Sequence, residues 1–288
     1  MTTAAQHPVR HIDIQHAPLR PDDDVPPTDT AHTSTPPTSA ATATATAPLR
    51  LAYREAGDPT APVLLLLHAL GESSLSWEPL LDDLAALGYR VLAPDARGHG
   101  DSDRPGEYSY ELMTADTLAF CAALGVTAPA GLAIVGHSMG AVTAALVTAA
   151  LNGTTPAGTT APTAARPDTT TPVTRLVLED ATPPRPGGPR FEPFDEPDHP
   201  VPFDWPLVNA LRAQRSDPDP AWWDDAVRIE APVLVVAGGP TSNVDQADLA
   251  EFTSRVSRGR LVEIRVGHMV HDEAPDEFLA AVTDFLRR

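Results

Sequence analysis

From residue 49 onward the chain alternates short apolar runs with segments whose apolar residues recur at helical spacing. Residues 49–54, 62–67, 89–93, 131–135, 173–178, 232–237 and 260–266 read as strands. Residues 74–87, 110–124, 141–151, 245–256 and 275–287 read as helices. The run 62–67 is apolar at nearly every position, as expected of a strand covered on both faces in a parallel sheet. Alternating strand and helix units imply an α/β fold, a mostly parallel sheet with helices on both sides. In such sheets, chemistry collects at the carboxyl ends of the strands.

Two segments break this pattern. Residues 1–48 and 152–172 are dominated by Thr, Ala and Pro and carry no large apolar residues at a regular period. Such composition cannot bury enough surface to offset the entropy of ordering. The reading is a disordered N-terminal arm over 1–48, dispensable for activity and cooperative unfolding, and a folded domain over 49–288 with a low-complexity surface insertion at 152–172. A third departure, the Pro-rich stretch 183–230, holds two helix-like pieces at 207–215 and 222–229. Phe191, Phe194, Phe203, Trp205, Trp222 and Trp223 crowd into it. They read as the packing of a short cap, some of them lining an apolar pocket.

Charge and composition narrow the chemistry. A net charge of −19, from 39 acidic against 20 basic residues, excludes nucleic acid and anionic membrane surfaces as partners. Every basic residue is Arg, which removes Schiff-base chemistry, Walker-type phosphate loops and Ser–Lys dyads. Cys121 stands alone, so intramolecular disulfides and cysteine zinc clusters are excluded, and it reads as a small core residue. No signal-peptide pattern opens the chain, and no apolar run approaches the ~20 residues of a membrane span. The expectation is a soluble cytoplasmic protein acting on a small molecule, its oligomeric state not legible.

Candidate chemistry sits where the predicted strands end. Gly136-His137-Ser138-Met139-Gly140 lies between a strand and a small-residue helix, the context that makes G-x-S-x-G a nucleophile turn. His68-Ala69-Leu70-Gly71 follows the strand at 62–67; backbone N–H groups of this turn could join that of Met139 in facing an oxyanion. Pro94-Asp95-Ala96-Arg97-Gly98-His99-Gly100-Asp101-Ser102 reads as a tight turn held by side-chain-to-backbone hydrogen bonds. Gly267-His268-Met269-Val270-His271 follows the last strand, where a neutral imidazole could accept a hydroxyl proton from Ser138. His268 and His271 lack the carboxylates of a metal cage, so no metal and no cofactor are expected. His271 reads as packing against the terminal helix.

These four motifs, taken in chain order, resemble the α/β-hydrolases of the Ser-His-acid type over roughly residues 49–288, with Pro275-x-x-Phe278 closing the match. The resemblance implies Ser138 as nucleophile, His268 as base, and the N–H groups of Leu70 and Met139 as the oxyanion hole. It implies hydrolysis of a small or medium ester, thioester or lactone through an acyl-enzyme. Carbon–carbon bond hydrolysis with the same residues and a catalytically inactive binding protein are the alternatives. A Ser at the elbow sets aside the branches that open epoxides or haloalkanes with an Asp. Ala69 stands where the family usually has Gly, and would be strained if that position required positive φ.

The acid is less regular. The family commonly places it after the next-to-last strand, yet Gly238-Gly239-Pro240-Thr241-Ser242-Asn243-Val244-Asp245 has no carboxylate before Asp245. The preceding strand ends in Leu178-Glu179-Asp180-Ala181, and alternation points Glu179 and Asp180 to opposite sides. Asp180 is the favoured acid, with Asp245, Glu179 and a dyad completed by water or Asn243 as alternatives.

Overall fold

The structure, a computed structural model, describes residues 7–15, 48–126, 131–152 and 172–288. Its strands are β1 (Arg10–Ile14), β2 (Leu49–Ala56), β3 (Val63–Leu67), β4 (Arg90–Pro94), β5 (Leu132–His137), β6 (Val173–Glu179), β7 (Val233–Ala237) and β8 (Gly259–Glu263). They form one sheet in the order β1-β2-β4-β3-β5-β6-β7-β8. β2 runs antiparallel to both of its neighbours, and every pairing from β4 through β8 is parallel. The α-helices are α1 (Leu81–Ala85), α2 (Tyr110–Ala123), α3 (Met139–Asn152), α4 (Pro206–Ser216), α5 (Pro220–Val227), α6 (Gln246–Arg255), α7 (Val270–Glu273) and α8 (Pro275–Leu286). Among the described residues, no helix is long and apolar enough to cross a membrane.

The two-residue period of the strands builds two cores from one sheet. Leu65, Leu67, Ile134, Leu176 and Val235 join Phe120 of α2, Ala144 of α3 and Phe252 of α6 on one face. Their neighbours Leu64, Leu66, Val135, Val177 and Val236 meet Leu81 and Leu84 of α1 and Phe278 and Val282 of α8 on the other. Each fully buried Leu or Val contributes about 1.5–3 kcal/mol of transfer free energy, so this central block is the rigid frame behind the strand ends. Cys121 lies in the first of these cores, and burial pushes its thiol up to about 12, which suits a packing role.

The helix expected over 74–87 divides instead into a 3-10 helix, Ser74–Leu80, and the short α1. Pro79 is the cause: it has no N–H to donate, and its ring disfavours the α conformation at the residue before it.

The arm expected over 1–48 needs a larger correction. Residues 10–14 are β1, paired from Arg10↔Tyr53 to Ile14↔Leu49 along the edge of β2. Only Ile12 and Ile14 mark the strand, a pattern too short to stand out from its Thr- and Pro-rich surroundings. The free edge of β2 supplies the missing partner, and Ile14 joins the core at 1% exposure. The rest of the arm from residue 16 to 47, and the insertion apart from Asn152 and Pro172, lie outside the described residues.

α4 and α5 form the cap between β6 and β7. Leu207, Val208, Leu211 and Trp222 pack on Tyr110, Met113, Met139 and Val142. The backbone ties the cap down as well: the Asp204 N–H donates to the Gly98 carbonyl at 2.7 Å, and Phe203 bridges to His99.

Because Ile14 is the only fully buried side chain of β1, Ile14→Ala should cost about 2 kcal/mol or more in urea unfolding, the lower end for Ile→Ala in a core. An unchanged unfolding midpoint would mean that β1 does not hold the sheet edge.

Candidate active site

Ser138 occupies the turn between β5 and α3 with φ of 52°. Few side chains tolerate that left-handed conformation, and the surrounding backbone imposes it. A Cβ at Gly136 would lie 2.3 Å from the Gly140 carbonyl oxygen, and one at Gly140 would lie 2.1 Å from that of Leu67. Both glycines are therefore required for the close approach of strand and helix. The Ser138 N–H donates to the Glu179 carbonyl at 3.1 Å, which ties the turn to the end of β6.

His268 lies in the loop between β8 and α7, with its Nε2 2.9 Å from Ser138 Oγ and its Nδ1 2.8 Å from Asp180 Oδ2. A carboxylate accepts only, so Nδ1 carries the proton and the Nε2 lone pair faces the hydroxyl. Asp180 follows β6 directly, is fully buried, and has φ of 43°. Its carboxylate also accepts from the Gly238 N–H at 2.7 Å, from Gln246 Nε2 at 3.1 Å and from the Ser242 hydroxyl. Burial alone would raise its pKa, but the donors from His268, Ser242, Gly238 and Gln246 together hold it below the usual carboxylate range.

The other acids are placed elsewhere. Glu179 points away from His268 and accepts from both the backbone N–H and the Nδ1 of His271, at 2.8 and 2.9 Å. Asp245 caps α6, accepting from the Ala247 N–H at 2.9 Å. The loop after β7, which lacks the expected carboxylate, contributes Gly238, Ser242 and Gln246 as donors to Asp180 instead.

The amides of Leu70, in the turn after β3, and of Met139, at the start of α3, belong to residues bordering one cleft with Ser138 and His268. Positive φ in the first turn falls on Gly71, at 85°, so Ala69 carries no backbone strain. His68 is buried beneath: its Nδ1 donates to the Ala69 carbonyl at 2.7 Å and its Nε2 accepts the Ala96 N–H at 2.9 Å. Burial holds this ring neutral. The turn at 94–102 is structural in the same way, with Arg97 paired to Asp116 and His99 Nδ1 bonded to the Arg97 carbonyl at 3.0 Å.

A buried polar layer under these loops was invisible in the sequence. His137 Nε2 donates to the His268 carbonyl at 2.9 Å, and its Nδ1 faces Glu72 Oε2 at 3.4 Å. Glu72 Oε2 also accepts the Ala69 N–H at 3.0 Å. Both ring nitrogens of His137 thus face acceptors. Burial opposes charging this ring, yet Glu179 and Glu72 outweigh it and push the pKa up to about 9. Burial likewise raises Glu72, and the His137 contact more than reverses that. His271 stacks on Trp77 with ring centroids 4.1 Å apart, rather than merely meeting the terminal helix. Among the described residues, Glu72, His137 and His271 offer three ligand atoms within 4.8 Å of one another. A metal there would need His137 Nδ1 deprotonated, against the direction its neighbours impose, so the group fits a buried ion pair better than a metal site.

Above Ser138 lies a cleft of about 630 Å³, bordered by Tyr110, Phe191, Leu211 and Trp223 and by Arg185, Arg212 and Arg215. The cap aromatics therefore divide: Phe191 and Trp223 face the cleft, while Trp222 packs the cap onto the domain.

Comparison with known proteins addresses the family and the fold. The chain is 28% identical over 285 residues to the sn-1-specific diacylglycerol lipase of Mus musculus, covering 83% of this chain and 86% of that protein. Identity to epoxide hydrolase A of Mycobacterium tuberculosis reaches 41%, but over 97 residues that span only 29% of that enzyme. An esterase from Thermogutta terrifontis superposes with a TM-score of 0.65 at 20% identity, over 96% of this chain and 98% of that one. The enol-lactonase from Burkholderia xenovorans LB400 gives 0.63 at 22% identity, over 83% and 96%. At such identities the two structures share the fold. A profile of the Alpha/beta hydrolase family matches residues 64–281, the parallel strands β3 to β8 with the cap, and the chain belongs to that family.

Proposed function

We propose that the protein is a serine hydrolase that cleaves a carboxylic ester, thioester or lactone through an acyl-enzyme on Ser138. The observation that carries this reading is the continuous line of hydrogen bonds from Ser138 Oγ through His268 to Asp180, at 2.9 and 2.8 Å. His268 Nε2 takes the hydroxyl proton as Ser138 Oγ attacks the carbonyl carbon. Asp180 keeps the imidazole in the tautomer that can accept, and stabilises the imidazolium that results. The amides of Met139 and Leu70 receive the oxyanion, where one such donor typically contributes about 3 kcal/mol. His268 then returns its proton to the leaving group, and water repeats the sequence on the acyl-enzyme. These steps use only side chains and backbone amides. A lipase among the relatives and an esterase and a lactonase among the structural neighbours support carbonyl chemistry. Ser138 separates the chain from epoxide opening by a carboxylate, so we take the short match to epoxide hydrolase A as a likeness of scaffold.

His137 completes the site as a positioning residue. Fully buried, it holds the His268 backbone through the carbonyl hydrogen bond while its charge is balanced by Glu72 and Glu179.

Two outcomes are expected. Ser138→Ala should lower turnover of a short p-nitrophenyl ester about 10⁴-fold or more, while the melting temperature moves by no more than a few degrees. Substantial activity in the folded variant would refute the nucleophile. The second concerns pH. A histidine whose folded pKa is raised adds stability that is complete below its unfolded value near ~6.5 and disappears as pH rises through about 9. His137→Asn should therefore lower the melting temperature more at pH 6 than at pH 9.5. An equal loss at both values would show that the charge on His137 contributes nothing.

A further inference from the structure

The cleft above Ser138 carries a charge opposite in sign to the rest of the molecule. Three arginines and two aspartates, Asp245 and Asp248, border it, in a chain whose acidic residues outnumber the basic ones by 39 to 20. Most of these charges have assigned partners. Arg185 pairs with Asp248 at 2.7 Å and with Glu251, and Asp245 is spent on the α6 cap. Arg212 and Arg215 are different: neither forms an ion pair with any described residue.

Both arginines stand against aromatic rings, and Arg212 is also hydrogen-bonded. They stand three residues apart on α4, so they project from the same helix face. The Arg212 guanidinium carbon lies 3.7 Å from the Phe194 ring centre and 5.3 Å from that of Phe191, and Arg215 lies 5.6 Å from Phe191. Arg212 Nε donates to the Glu192 carbonyl at 2.9 Å, which orients its plane and leaves the two terminal nitrogens for another acceptor. A guanidinium held in a plane by stacking and one backbone bond presents the fork that matches a carboxylate. Tyr110, Leu211 and Trp223 border the same cleft as the arginines and Ser138, and give an alkyl chain apolar contact there.

Building on the serine-hydrolase reading, we infer that Arg212 and Arg215 select substrates bearing a carboxylate several carbons from the scissile carbonyl. The apolar stretch takes the connecting chain, and the two guanidiniums take the charged end. Recognition by cations bordering a cleft is screened by salt, and this property separates it from simple packing.

The test compares substrates that differ only in that charge. Mono-p-nitrophenyl adipate is set against its methyl-capped ester for the acyl side, and the butyrate ester of 6-hydroxyhexanoate against its methyl ester for the leaving-group side. For at least one pair, kcat/KM should favour the free acid about ten-fold, as a charge-assisted hydrogen bond in a partly exposed site allows, with the difference mainly in KM. The preference should shrink when NaCl is raised from about 0.05 to 0.5 M. Replacing both residues, Arg212→Gln with Arg215→Gln, should bring the ratio near one, while Arg212→Lys with Arg215→Lys keeps part of it. Equal turnover of acid and methyl ester in both pairs would overturn the inference and leave the hydrolase reading intact, as would a preference that persists in high salt or in the double Gln variant. No turnover of any of these esters would overturn the hydrolase reading and this inference with it.

Discussion

The hydrogen bond between Asp180 and His268 is the interaction on which the rest of the site depends. A fully buried carboxylate is costly unless it is paired and hydrogen-bonded on most sides. Here the offset comes from three separate elements. The backbone after β7 gives the Gly238 N–H, the following loop gives Ser242, and α6 begins with Gln246. The Gly238 N–H and the Ser242 hydroxyl would lose their acceptor if the carboxylate moved, while Gln246 Nε2 would keep only the Val244 carbonyl. The acid thus organises the loop where the family commonly places its acid, and that loop holds the acid in return.

Sheet register explains why this arrangement reaches Ser138. β5 and β6 pair so that Gly136 lies opposite Leu178 and His137 opposite Glu179, which brings Ser138 and Asp180 to neighbouring strand ends. They are also the two non-glycine residues with positive φ among those described, each turning its side chain out of the strand as the chain leaves it. Alternation then gives the adjacent acids separate duties. Asp180 receives His268 above the strand ends, and Glu179 receives His271 in the buried layer below. Between the two layers His137 links them, bonded to the His268 carbonyl and facing Glu72. The base is accordingly held twice, by its ring and by its backbone.

Much of this was legible in the sequence because it rests on local rules. Apolar runs of strand length located β3 through β7 to within a few residues, since burial on both faces forces near-continuous hydrophobicity, and shorter apolar stretches located β2 and the more exposed β8. Ser138 and His268 stood out because glycines frame a tight elbow and a loop histidine follows the last strand. The acid was legible as a preference for Asp180 over Asp245, Glu179 and a dyad completed by water or Asn243. Deciding between them requires knowing which strand end faces His268, a contact between residues 88 positions apart. The partnership of Glu72 and His137 is illegible in the sequence for the same reason: it spans 65 positions, and nothing in either neighbourhood announces it. β1 was missed because a five-residue edge strand draws its order from β2 rather than from its own composition. Strain at Ala69 depended on which residue of the turn takes positive φ, and Gly71 is the one that does.

The central claim is that the acid at the end of β6, and not one in the loop after β7, orients the base. It is tested most directly by comparing kcat for Asp180→Asn and Asp245→Asn on the same p-nitrophenyl ester, with thermal melts confirming that both variants fold. An amide in place of the Asp180 carboxylate can donate to His268 Nδ1 and so favours the wrong tautomer, a change that can cost about 10⁴ in turnover. The account predicts a loss of that order for Asp180→Asn and close to full activity for Asp245→Asn. Comparable activity in the two variants, or a greater loss from Asp245→Asn, would contradict it.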